Sequence, residues 1–130
     1  MKEIGGYFEL ELNEKKEYHS QGLKLNSGRN CLLYILQAQK PSKIFLPYYI
    51  CDSILEPIIS EGIKYEFYNI NENFEITTNL SLHQDEKLLY VNYFGLKSDY
   101  SKCLAKKYTR AFILDNTQAF FEKPLTNIDT

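Results

Sequence analysis

Long apolar runs, paired cysteines, basic clusters and repeats are all missing from this chain, and each absence removes a class of function. No segment reaches the 18 or so uninterrupted apolar residues of a membrane-spanning helix. The opening MKEIGGYFELEL carries charges every few residues and has no continuous apolar core, so no secretory leader is expected there. The three cysteines, Cys31, Cys51 and Cys103, form no CxxC pair and are odd in number, which suits neither a disulfide framework nor a zinc site. A reducing, cytoplasmic setting is the simplest expectation, with no metal and no membrane partner. Formal net charge is -2 with lysine and arginine scattered, so the basic footprint of a nucleic-acid binder is missing and no nucleic-acid partner is expected. His19 and His83 each stand alone in polar stretches, and sequence supplies neither with a partner or a role.

What remains is an ordinary globular composition, 44% hydrophobic and 25% charged over 130 residues, enough for one core and one domain. Residues 7–12 alternate, with Phe8, Leu10 and Leu12 on one side, and predict an edge or lid strand; residues 13–24 read as a loop. From residue 26 onward the chain reads as alternating helix and strand. Ser27 predicts the N-cap of a helix that runs to Pro41, and Gly28 lets a backbone or ligand approach closely. KIFLP, 43–47, predicts a strand ended by proline. Ser53 and Glu56 fit a capping box for a helix to about Gly62, with Pro57 bending its first turn. Strands are expected at 65–70 and 87–93, the second covered on both faces, with a long polar connection at 71–84. Ser98 or Asp99 can cap a further helix whose buried face is Tyr100, Cys103, Leu104 and Tyr108. The pattern predicts an α/β fold: a mostly parallel sheet with helices on both faces.

Two stretches carry candidate chemistry. In AFILDNTQAFF a short apolar run ends abruptly in Asp115, and an acid at the carboxyl end of a parallel strand faces the crevice in which such sheets bind ligands. Asp115 and Asn116 also suit a plain turn, closed by side-chain bonds to the following backbone. At the other stretch, Ser27-Gly28-Arg29 opens a helix whose free N–H groups and positive end could hold a phosphate, or could simply be capped.

Read together, Ser27-Gly28, Leu46-Pro47-Tyr48-Tyr49, Tyr93-Phe94-Gly95 and Asp115-Asn116-Thr117-Gln118 resemble, in order and spacing, the N-terminal part of the large domain of DegT/DnrJ-type sugar aminotransferases. These are fold-type I enzymes that use pyridoxal 5'-phosphate. The resemblance implies that Asp115 pairs with the pyridine nitrogen of that cofactor, that Gln118 lies near its ring oxygen and phosphate side, and that Ser27, Gly28 and Arg29 cradle its phosphate. It points to a small-molecule substrate, a nucleotide-linked keto sugar, and to a homo-oligomer, a dimer, as partner state. Arg29 stands where the family commonly has threonine. Cys51 stands where the family places a ring to stack on the cofactor, so Tyr48, Tyr49 and Phe94 are the alternative stacking candidates. The family's Schiff-base lysine follows the Asp-x-x-Gln segment, and no lysine among the 130 residues stands at that position. Three functions therefore stay open: the cofactor-binding part of an aminotransferase, a non-catalytic module of the same fold used for assembly or binding, and an unrelated doubly wound phosphate-binding domain.

Overall fold

Strand and helix alternate along most of the chain because short apolar runs rich in Leu, Ile, Phe and Tyr are, with one exception, followed by a turn signal and a 3.6-period segment. The computed structural model describes residues 17–125; the strand expected at 7–12 lies outside them. Helix α1 spans Gly28–Gln39, strand β1 Lys43–Pro47, helix α2 Leu55–Ser60, strand β2 Lys64–Tyr68, strand β3 Glu86–Val91, helix α3 Ser98–Tyr108 and strand β4 Phe112–Asp115. The four strands form one parallel sheet in the order β2-β1-β3-β4. The α/β fold with a parallel sheet expected from the pattern is the fold observed.

The chain steps outward from β1 to β2, returns past β1 to β3 and continues to β4, so its direction reverses between β1 and β3. Right-handed crossovers then put α2 and α3 on opposite faces. On one face Ile44, Leu46, Leu89 and Ile113 pack with Leu32 and Leu36 of α1 and Ile58 of α2. On the other, Phe45, Tyr68 and Leu88 are covered by Tyr108 from the end of α3 and by Ile70, Ile76, Leu80 and Leu82 from the long connection between β2 and β3. That connection is tied down by tyrosine hydroxyls: Tyr90 donates to the Phe74 carbonyl at 2.6 Å, and Tyr100 accepts from the Ile76 N–H at 3.0 Å. Among the described residues no helix is long and apolar enough to cross a membrane.

Several local expectations shift. The capping box at Ser53 does not form: a 3-10 turn at Asp52–Ile54 leads into α2, which has no side-chain cap, and the Ser53 hydroxyl instead meets the Cys51 thiol at 3.1 Å. Helix α2 ends at Ser60, two residues short of Gly62, whose φ of 66° takes the left-handed turn that glycine allows. Strand β2 stops at Tyr68, because Ile70 leaves the sheet to bridge Ile76 antiparallel. Strand β3 stops at Val91, since Asn92 and the 3-10 turn at Tyr93–Gly95 turn the chain early. In α3 Tyr100, Leu104 and Tyr108 pack against the core as expected, but Cys103 is exposed and Ser101 and Ala105 are buried instead. Serine and alanine face inward there because a helix lying close to the sheet has room for small side chains. His19 also proves less isolated than the sequence suggested: its Nε2 meets the Phe120 carbonyl, and its ring sits edge-on to Tyr18 and Phe120.

Candidate functional site

Helix α1 begins where Ser27, in extended backbone, turns its hydroxyl to accept the Asn30 N–H at 3.3 Å. The Ser27 carbonyl takes the Cys31 N–H at 3.0 Å. The N–H groups of Gly28 and Arg29 are thus left as first-turn donors without an intrahelical partner. This end of α1 abuts the tip of β4: a Cβ added at Gly28 would stand 3.3 Å from the Thr117 methyl. Close approach at Gly28 is therefore demanded by Thr117 itself.

Asp115 closes β4. Its carbonyl accepts the Asn92 N–H at 2.9 Å, and its Oδ1 accepts the Thr117 N–H at 2.8 Å, an Asx turn that fixes the carboxylate and leaves it a second oxygen. Both sequence readings of Asp115 thus describe the same residue: the turn is made, and the half-buried side chain still borders a cavity. That cavity, about 260 Å³, is lined by Ser27, Gly28, Arg29, Cys51, Asp115 and Thr117. An adjoining apolar cavity of about 170 Å³, lined by Gly28, Leu32, Leu89, Ile113 and Asp115, lies beneath it. Three segments far apart in sequence meet here at the carboxyl ends of the strands, the side on which open α/β sheets bind ligands.

The other expected residues are placed as follows. Arg29 directs its guanidinium to the Glu56 carboxylate, so its side chain is engaged while its backbone N–H stays at the helix mouth. Cys51 is exposed at the cleft, and hydrogen bonds from the Ser53 hydroxyl and backbone N–H, with a smaller contribution from the Arg29 charge, hold its thiol below the usual cysteine range. Tyr48 stacks on Phe67, ring centres 4.8 Å apart, and Tyr49 on Tyr93 at 5.7 Å. Of the stacking candidates Tyr48, Tyr49, Cys51 and Phe94, only Cys51, which has no ring, lines the cleft. Gln118 is exposed and turns away, its Oε1 accepting the Phe94 N–H at 2.9 Å. Among the described residues no lysine lines the cleft and no group of three potential metal ligands comes together.

Asn92 was not singled out from the sequence. It is 1% exposed, and its side chain donates to Asn116 Oδ1 and Ser98 Oγ, both at 3.2 Å, and accepts the Lys97 N–H at 3.0 Å. One amide thus ties the end of β3, the start of α3 and the turn after Asp115. The available signal was a polar residue ending the apolar run KLLYV immediately before a glycine turn.

Comparison of the chain with protein-family models, with curated proteins and with solved structures finds no match.

Proposed function

We propose that this chain forms the cofactor-holding part of a pyridoxal-phosphate-dependent, aminotransferase-like protein. The observation that carries this reading is the meeting, in one cleft, of the α1 N-terminus and the Asp115 carboxylate. The donor set suits a ligand with an anionic phosphate at one end and a cationic ring nitrogen at the other: helix N–H groups face the first, and a fixed carboxylate faces the second. At about 260 Å³ the cleft lies just below the roughly 300–1,000 Å³ range of small-molecule sites. The bound cofactor supplies an electron sink for carbanion chemistry at the substrate. Ser27, Gly28 and Arg29 would hold the phosphate and Asp115 would keep the ring nitrogen protonated, with Leu32, Leu89 and Ile113 lining the adjoining apolar cavity. A nucleotide-linked keto sugar remains the proposed acceptor.

Equilibrium titration with pyridoxal 5'-phosphate, followed by its absorbance, tests the proposal. Asp115→Asn should weaken binding by about 1.5–3 kcal/mol through loss of the charge-assisted bond. Ser27→Ala should weaken it by roughly 0.5–2 kcal/mol through the cap and the phosphate site. Affinity unchanged in both variants would remove the cofactor from this cleft.

A further inference from the structure

Strand β2 is an edge of the sheet among the described residues, separated from β4 and the cleft by β1 and β3. Pairing along β2 is therefore independent of any ligand held in the cleft. The Tyr68 carbonyl accepts the Tyr48 N–H at 3.0 Å, so the backbone groups of Tyr68, Glu66 and Lys64 point inward to β1. By the alternation of a strand, those of Tyr65 and Phe67 point outward, away from the sheet. The Ile63 N–H is used by the Ile58 carbonyl at 3.1 Å, which leaves the Ile63 carbonyl available. Along one face of this edge runs an apolar strip: Tyr48, 64% exposed, stacked on Phe67, with Tyr65, 42% exposed, edge-on to the same ring. On the other face Lys64 and Glu66 lie one residue to either side of Tyr65, both exposed.

We propose that β2 pairs antiparallel with β2 of a second copy of this chain, with Tyr65 opposite its own counterpart on the two-fold axis. Outward-pointing Tyr65 makes a hydrogen-bonded pair with itself, and the Phe67 N–H reaches the Ile63 carbonyl of the other copy. Lys64 then falls opposite Glu66 twice, in the closely spaced, non-hydrogen-bonded positions where Cα atoms approach to about 4.5 Å. Tyr65 meets Tyr65, and Ile63 meets Phe67, on the apolar face. The charges choose this register. Moving the axis to Glu66 sets Glu66 against Glu66, and a shift by a single residue puts side chains of opposite faces side by side. Lysine at an edge discourages indiscriminate pairing; here the same two charges, in the order Lys-x-Glu, accept a copy of themselves running the other way and repel most other strands. Because a five-residue edge buries less than a standard interface, the dimer should depend on concentration.

Sedimentation velocity on the full chain over about a hundredfold range of concentration tests the pairing. The wild type should shift from monomer to dimer, K64E and E66K should each remain monomeric, and the double variant K64E/E66K, which restores opposite charges across the axis, should dimerise again. In a background with Cys31, Cys51 and Cys103 replaced by serine, Tyr65→Cys should form a covalent dimer under mild oxidation, since Cα atoms of a hydrogen-bonded pair lie about 5.5 Å apart, within disulfide reach. Phe67→Cys, displaced from the axis, should not. A monomer at every concentration, a dimer indifferent to the single charge reversals, a double variant that fails to recover, or stronger cross-linking at position 67 than at 65 would each overturn the proposal.

Discussion

The two ends of the sheet are built from similar residues and behave differently. At the amino ends, charge is answered by charge: Lys43 Nζ lies 3.1 Å from Glu86 and 3.3 Å from Glu66, and the other Glu86 oxygen accepts the His83 N–H at 2.9 Å. At the carboxyl ends the strands stop in irregular backbone. Phe94 and Gly95 take left-handed conformations with φ of 54° and 71°, Asp115 folds into an Asx turn, and α1 presents its first-turn N–H groups toward that turn. A carboxylate with a lysine and a backbone donor against it is a fastening. Asp115, held by one backbone N–H beside a cavity, keeps capacity for something outside the chain. Surroundings, more than residue type, separate the fastened end from the open one.

The largest expected effect lies at the carboxyl end, at Asn92. Asn92→Ala strands the partly buried Lys97 N–H and Asn116 side chain and removes a fully buried amide, which should cost about 2–3 kcal/mol. Urea denaturation measures this, and a loss below about 1 kcal/mol would mean that water or a neighbour replaces the amide. A smaller effect is expected at the amino end and depends on pH. The His83 N–H, and then Lys43, hold the Glu86 carboxyl below the ordinary glutamate value of 4.5 against the opposing effect of burial. A folded-state value below the unfolded one means that ionised Glu86 stabilises the fold at neutral pH, and that this contribution is lost as pH falls below the ordinary carboxylate range. Glu86→Gln should therefore lose less stability than the parent between neutral pH and pH of about 3. Identical acid profiles for the two proteins would show that the amino-end pairing contributes nothing to folding.

The parts of this arrangement that follow local rules were legible in the sequence. Ser27 caps α1 as its position before an apolar helical run implies, KIFLP forms β1 with the expected bounds, and Asp115 stands at a strand tip. The strand order β2-β1-β3-β4 was not legible, because hydrophobic periodicity says which face of a strand is buried and nothing about its neighbours. On α3, Tyr100, Leu104 and Tyr108 pack against the core as their spacing implies, and only packing against the sheet selects Ser101 and Ala105 over Cys103, which is exposed. Asn92 escaped because its partners, Lys97, Ser98 and Asn116, are polar residues from two later segments. The convergence of Ser27, Cys51 and Asp115 on one cleft is likewise a property of the folded topology, although Ser27 and Asp115 were each recognisable by local chemistry.

The central claim, that the open carboxyl end holds a phosphate-bearing pyridine ring with Asp115 on its nitrogen, is tested most directly by the 15N resonance of ring-labelled pyridoxal 5'-phosphate bound to the protein. The pH should be one at which the free cofactor's ring nitrogen is unprotonated. With the parent chain the bound nitrogen should resonate as a protonated pyridinium, and with Asp115→Asn as a neutral pyridine. A neutral nitrogen in the parent, or the same protonated signal in both proteins, would contradict the account and leave Asp115 as the residue that closes a turn.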